Sequence, residues 1–350
     1  MISFEGVVAP KEAVSLIREH NIGAVLLFAS NCPTIHRTHE LVCELKSCAK
    51  NEPLCVGLDH EGGKVHRLPK PVTHFPPMRT VGELYRRLPS TNIGLELGRV
   101  MGSELKALGV DLDFAPVMDV DTNAINPVIG DRSFGNQAEI VSAAGAHLIQ
   151  GLQEKKVAAC AKHFPGHGDT NEDSHKNLPR LPHNNKRLHS LELVPFAAAI
   201  RQKVAAIMPA HVVYEGVDKS VPATFSVKIL RDLLRTEMNF EGVIISDSLD
   251  MGAVTSLGSL EEISLKAFLA GCDWLIVGRE PEKIPAVLDA FVNAVEKGVL
   301  AVEKIEASYQ RILRLKSEFC GGGAGEARPS LEIIGSAGHK EILNKIKELD

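Results

Sequence analysis

A single tryptophan among 350 residues leaves little for a stacked aromatic platform, so lectin-type sugar binding is not expected. There is no CxxC pair. The seven cysteines, Cys32, Cys43, Cys48, Cys55, Cys160, Cys272 and Cys320, are odd in number and scattered, which predicts reduced, mostly buried thiols rather than a disulfide framework. No apolar run approaches the roughly twenty residues that cross a bilayer. The opening stretch MISFEGVVAPKEAVSLIREHNIG lacks a basic start followed by an apolar core, so no signal peptide is read and a cytoplasmic location without membrane partners is expected. Long basic runs are absent and the net charge is −5, which argues against a nucleic-acid partner. No GxGxxG follows an early strand, and there is no P-loop.

What the chain does have is repetition of a simple kind. Short apolar runs at 23–29, 54–59, 110–117, 157–164, 204–212, 241–247 and 272–278 alternate with amphipathic stretches. The runs are apolar throughout rather than alternating, as in strands buried on both faces. Helices are expected at 10–20, 35–49, 92–108, 137–155, 188–202, 226–239, 261–270, 283–297 and 301–317. The segment MISFEGVVA at the start is the candidate eighth strand. Repeated strand–helix alternation builds a parallel sheet, and eight units close a single (β/α)8 TIM-like barrel, placed over residues 1–320. GGGAGEARPS at 321–330 reads as a linker by composition. Residues 331–350 read as a tail with a short amphipathic helix, docked on the barrel or on a neighbour.

Strand after strand ends, on its C-terminal side, in chemically active groups: Asp59-His60-Glu61, Asp113 to Asp119, Lys162-His163, His211 and Asp247. In a barrel those ends meet on one face, where active sites of this fold lie. The densest cluster is AKHFPGHGDTNEDSH at 161–175. It admits three readings. A zinc site is disfavoured because the first strand lacks a His-x-His pair, and Pro165 and Gly166 deny His163 and His167 a helical i,i+4 spacing. A polar loop with structural histidines suits His167, as a residue that holds the turn. General acid–base chemistry suits Asp173 and His175: two apart in an extended segment, they share one side, and the carboxylate fixes the imidazole tautomer and raises its basicity. Such a pair needs a partner, and Asp247, held at the mouth of the strand in GVIISDSLDMG, is the candidate. Glycoside hydrolysis by double displacement uses such a carboxylate on one face of a sugar and a proton donor on the other.

Four motifs, in chain order DHEGGKVHR, NPVIGDRSFG, KHFPGHGDTNEDSH and GVIISDSLDMGAV, occur between about Gly23 and Gly278. Together they resemble the family-3 glycoside hydrolases, in particular the bacterial β-N-acetylhexosaminidase branch of peptidoglycan recycling. The resemblance implies that Asp247 is the nucleophile and that His175, partnered by Asp173, is the general acid/base. It implies that Asp59, Arg67, Arg132, Lys162 and His163 hold sugar hydroxyls, with barrel-mouth salt bridges such as Asp59–Arg67 as the bland alternative. No cofactor or metal is implied, an oligosaccharide is the partner, and a monomer is expected. Gly166, Gly168 and the polar run to Asn177 are expected to make the loop mobile without ligand. KNLPRLPHN after it, with Arg180 and His183, departs from the family pattern and has no assigned role. The activity expected is a retaining exo-β-N-acetylglucosaminidase. The alternatives are a metal hydrolase, a non-catalytic sugar-binding barrel, and a phosphorylase, since a neutral imidazole repels an incoming phosphate less than a carboxylate does.

Overall fold

All seven apolar runs form strands, parallel in one curled sheet and neighbours in chain order: Ala24–Leu27, Cys55–Leu58, Leu112–Asp113, Ala158–Phe164, Ala206–Pro209, Val243–Ser248 and Trp274–Ile276. The structure is a computed structural model that describes residues 1–174, 177–278, 280–321 and 329–349. The sheet is closed by the first three residues. Ile2 N–H donates to Ala24 O at 3.1 Å and Leu26 N–H to Ile2 O at 2.8 Å on one side. On the other, Val277 N–H donates to Met1 O at 3.0 Å and Ser3 N–H to Gly278 O at 3.2 Å. The eighth strand expected at the start of the chain is therefore a short closing segment, and the fold is TIM-barrel-like.

Alternate strand residues face opposite ways, and this sorts the apolar side chains into two cores. Ala24, Leu26, Leu112, Phe114, Cys160, Met208, Ile245 and Ile276 belong to an inner cluster, joined by Leu315 and Phe319 of the last barrel helix. Val25, Leu27, Val56, Leu58, Ala159, Ile207 and Ile244 belong to the larger cluster that receives the helices. All nine expected helical stretches are present within a few residues of their expected ends. Their caps follow the sequence: Thr34 Oγ1 accepts Arg37 N–H, and Ser259 and Glu262 form a capping box.

Three features were not expected. The third strand keeps a short ladder, Leu112–Asp113, because Pro116 lacks an N–H; its carbonyls still serve the fourth strand, with Cys160 N–H on Ala115 O at 2.9 Å and Lys162 N–H on Pro116 O at 3.1 Å. The helix Met78–Arg87 buries an apolar stripe of Met78, Val81, Leu84 and Tyr85. A side pair of parallel strands, Arg180–Asn184 and Val213–Gly216, flanks the barrel. Of the linker expected at 321–330, residues 322–328 lie outside the described residues. Beyond it the helix Ala337–Leu349 packs on the barrel helices Ile93–Leu108 and Met78–Arg87. Among the described residues no helix is long and apolar enough to cross a membrane.

Candidate active site

The C-terminal ends of the strands surround a cavity of about 700 Å³. Asp59, Arg67, Arg132, Lys162, His163, Asp173 and Asp247 all line it. Seven of the eight site residues expected from the sequence thus share one cavity; His175 lies outside the described residues.

The floor is a buried ion-pair network. Lys162, 3% exposed, places Nζ 2.6 Å from Glu61 Oε1 and 2.8 Å from Asp59 Oδ1. Arg132 grips Glu61 with two hydrogen bonds of 2.8 Å, through Nε and Nη2. Arg67 Nη2 lies 3.4 Å from Asp59 Oδ2. Burial alone would raise the Glu61 pKa, but Arg132 and Lys162 outweigh it and hold this carboxyl far below the usual range. Burial works against the Lys162 ammonium in the same way, and Asp59 and Glu61 more than offset it. Removing one member of such a set would leave an uncompensated buried charge. The Asp59–Arg67 bridge is real, and both of its members also face the cavity.

His163 is set by Asp119. The carboxylate accepts the His163 backbone N–H at 3.1 Å and lies 2.7 Å from ring Nδ1. Against the effect of burial, His163 and His167 keep Asp119 ionised. An ionised acceptor requires Nδ1 to carry the proton, which leaves Nε2 of His163 as the ring nitrogen available in the cavity.

Asp247 lies at the C-terminal end of the sixth strand, one residue before its last. Its Oδ1 accepts the Ser248 N–H at 2.7 Å. Burial would raise its pKa, yet His211, His163, the Ser248 amide and Lys162 together lower it, so the group is an anion at neutral pH. His211 is itself fixed by Thr224 Oγ1 at 2.7 Å and by Ser248 O at 3.0 Å. Glu61, Asp119 and His211 were visible in the sequence as polar strand ends, but nothing there revealed what each one touches.

The loop after the fourth strand, expected to be mobile without ligand, makes fixed contacts at residues 166–170 and 174. A Cβ on Gly168 would stand 1.8 Å from Val120 O, so this glycine permits a close approach of two backbones. The Gly166 carbonyl accepts the buried Tyr214 hydroxyl at 2.6 Å. His167 N–H donates to Asp119 Oδ1 at 2.7 Å, and its ring meets Thr170 Oγ1 at 2.9 Å and Ser174 Oγ at 3.0 Å. Asn126 Nδ2 reaches His167 O at 2.9 Å from the facing loop. His167 does hold the turn. Arg180 pairs with Glu215 at 2.9 Å on the side sheet, and His183 Nε2 sits 3.1 Å from Asp169 Oδ2; neither lines the cavity.

Burial lowers the His167 pKa to about 4. The unfolded chain therefore binds a proton there between roughly pH 6.5 and 4 that the folded chain refuses. Stability contributed by the neutral ring is complete above pH 6.5 and is lost as pH falls, at about 1.4 kcal/mol per pH unit within that window. A pH series of thermal unfolding should show this acid slope, and His167→Gln should flatten it by one proton. An unchanged slope in the variant would mean that His167 is already charged in the fold.

Asp113 behaves in the opposite way. Fully buried, it accepts His60 N–H at 2.9 Å, and burial pushes its pKa well above the ordinary value. The neutral form stabilises the fold at low pH, and this contribution is lost as pH rises towards the raised pKa. Asp113→Asn mimics that neutral form. Its melting temperature should match or exceed the parent's, more so at pH 8 than at pH 5; a marked loss at both would show an ionised Asp113.

The Cys55, Asp111 and Cys320 side chains are the one group of possible metal ligands among the described residues. They lie at the opposite end of the barrel, where Asp111 is already engaged by Lys46 at 2.6 Å and Lys106 at 3.3 Å.

A TIM-like barrel with cations and carboxylates facing one polar cavity at its C-terminal end, and an ionised aspartate among them, has the design of a glycoside hydrolase. Residues 2–315 match the model of the glycosyl hydrolase family 3 N-terminal domain, and the chain belongs to that family. It is 39% identical to a β-hexosaminidase of Thioalkalivibrio sulfidiphilus over 294 residues, 83% of each protein. Among solved structures it is similar to a family 3 β-N-acetylglucosaminidase of a Paenibacillus species, with TM-score 0.92 and 37% identity, covering all of this chain and 66% of that one. Native NagZ of Neisseria gonorrhoeae superposes with TM-score 0.84 at 30% identity, covering 100% of this chain and 96% of the other.

Proposed function

We propose that the protein is a retaining exo-β-N-acetylglucosaminidase. It removes terminal β-linked N-acetylglucosamine from peptidoglycan-derived muropeptides or related oligosaccharides. Asp247 attacks the anomeric carbon to form a glycosyl-enzyme. His175, partnered by Asp173, protonates the leaving oxygen and then takes a proton from water. Asp59, Arg67, Arg132, Lys162 and His163 hold the sugar hydroxyls through charge-assisted hydrogen bonds. The reaction runs in the cytoplasm, on a monomer, without a cofactor.

One observation carries this reading. Among the cavity's acids, Glu61 and Asp59 are occupied by Lys162, Arg132 and Arg67, whereas Asp247 is an anion receiving a hydrogen bond from the Ser248 backbone. That is the condition of a poised nucleophile. The names of the relatives support the substrate class, and one Neisseria gonorrhoeae NagZ structure holds N-trifluoroacetyl-D-glucosamine.

The test is hydrolysis of an aryl N-acetyl-β-glucosaminide followed by proton NMR, with and without chelator. The β anomer should appear first and chelator should change nothing. An α anomer at the outset would overturn retention, and loss of activity with chelator would restore the metal reading. A parallel run in phosphate asks whether N-acetylglucosamine 1-phosphate forms; if it does, the enzyme is a phosphorylase as well.

A further inference from the structure

The strands His60–Gly62 and Val65–His66 form a hairpin at the cavity edge that carries Glu61 and leads into Arg67. This hairpin does not stand on the barrel alone. Gly63 N–H donates to Phe75 O at 3.0 Å, and His74 Nε2 donates to Gly63 O at 2.8 Å. The His66 and His74 rings stack with centroids 3.9 Å apart, and His60 packs on His66 at 4.5 Å. The segment 71–75 is thus the back support of the sugar-side hairpin.

That segment is in turn tied to the C-terminal tail through one buried carboxylate. Glu104, 1% exposed on the helix Ile93–Leu108, accepts four hydrogen bonds. Two come from Thr73, by N–H at 2.8 Å and Oγ1 at 2.7 Å. Two come from the tail, by Gly335 N–H at 2.8 Å and His339 Nδ1 at 2.8 Å. Gly335 has φ +64°, and a Cβ there would stand 2.2 Å from Pro71 O, so the tail turn presses on the same segment. Ile334 and Ile346 anchor the tail in the main core. No described residue of the tail lines the cavity.

We propose that the tail at 331–349 belongs to the substrate-binding machinery: with Glu104 and His339 as positioning residues, it holds the Arg67 hairpin in place for the sugar. This rests on the reading of Arg67 as a sugar-binding residue. The physical basis is the acceptor count. A buried carboxylate with four donors, two from each partner, cannot lose one partner without leaving polar groups unpaired, so the two segments are held as a unit.

The experiment uses the full chain carrying Glu104→Gln, His339→Ala or His339→Gln, each alone and with Arg67→Ala. Glutamine at 104 offers one acceptor oxygen in place of two. KM for an aryl N-acetyl-β-glucosaminide should rise by roughly tenfold in Glu104→Gln and His339→Ala, with kcat nearly unchanged. His339→Gln, which keeps a donor, should recover most of the loss. In the Arg67→Ala background the same changes should add nothing, because their effect passes through Arg67. A lowered melting temperature with unaltered KM would reduce the tail to a structural strut and overturn the proposal. A fall in kcat at constant KM, or effects that simply add to Arg67→Ala, would overturn it equally. Hydrogen exchange provides a readout independent of turnover: amides at 62–68 should exchange faster in Glu104→Gln or His339→Ala, and unchanged exchange there overturns the coupling. If the parent protein cleaves no N-acetylhexosaminide, the proposed activity fails while the exchange measurement still decides the coupling.

Discussion

Asp247→Ala should lose turnover of every glycoside by roughly four orders of magnitude or more, while sugar binding is retained. On the proposed mechanism the substitution removes the atom that bonds to the anomeric carbon, and no covalent intermediate can form without it. The neighbouring carboxylates cannot stand in. Glu61 is locked between Arg132 and Lys162, and Asp59 between Lys162 and Arg67. The fold should tolerate the change, because His211 keeps its bonds to Thr224 and Ser248 O. KM or direct binding of N-acetylglucosamine should therefore stay close to the parent value. In the unmutated enzyme a 2-fluoro glycoside or similar slow substrate should trap the intermediate, and peptide mapping should place the label on Asp247. Asp250, two residues from Ser248 and bonded to its hydroxyl at 2.5 Å, is the informative rival. A label there, or an Asp247→Ala enzyme with substantial activity, would end the assignment.

The barrel was legible because its strands are buried on both faces. A strand such as Val243–Ser248 is apolar over Val243–Ile245 until it nears the cavity, where Ser246 and Asp247 interrupt it, and that interruption is visible in one dimension. The same logic brought Asp59, Lys162 and His163 to one face. What the sequence could not display is pairing. Glu61 sits in the same motif as Asp59, yet its role as the anion between Lys162 and Arg132 depends on residues 101 and 71 positions away. Asp119 and His211 were apparent as polar strand ends, and only packing shows that the first orients His163 and the second faces Asp247. The glycines of the loop at 161–175 also have a role set by packing. Gly166 and Gly168 suggested a mobile loop; at Gly168 Val120 O occupies the space a side chain would need. The helix Met78–Arg87 was not expected, although Met78, Val81, Leu84 and Tyr85 recur at helical spacing and are buried on one face. The tail read as a docked amphipathic helix, but its bonds to Glu104 join residues more than 230 positions apart and leave no trace in composition.

His175→Ala should separate substrates by their leaving groups. A sugar alkoxide leaves poorly without a proton, so cleavage of a natural disaccharide should fall by about 10³–10⁴-fold, the scale of general acid catalysis. A phenol with electron-withdrawing substituents leaves as a stable anion, and the first step on such an aryl glycoside should fall by only about tenfold. The second step still needs a base, so the glycosyl-enzyme on Asp247 should accumulate and appear as a burst of phenol followed by slow turnover. The described residues on either side are held by hydrogen bonds. Ser174, the preceding residue, is held by the His167 ring at 3.0 Å, and its carbonyl accepts Ala253 N–H at 3.3 Å. Asp173, on the cavity wall, accepts Asn177 N–H at its carbonyl at 2.9 Å. Asp173→Asn should show the same leaving-group dependence in weaker form, since it removes the charge that stabilises the imidazolium but leaves the ring. A set of aryl glycosides spanning a range of phenol pKa measures this directly: kcat/KM should become steeply dependent on leaving-group pKa in His175→Ala and remain shallow in the parent. An equal loss on all members of the series, with no burst, would make His175 a structural residue and require the proton donor to be sought elsewhere on the cavity wall.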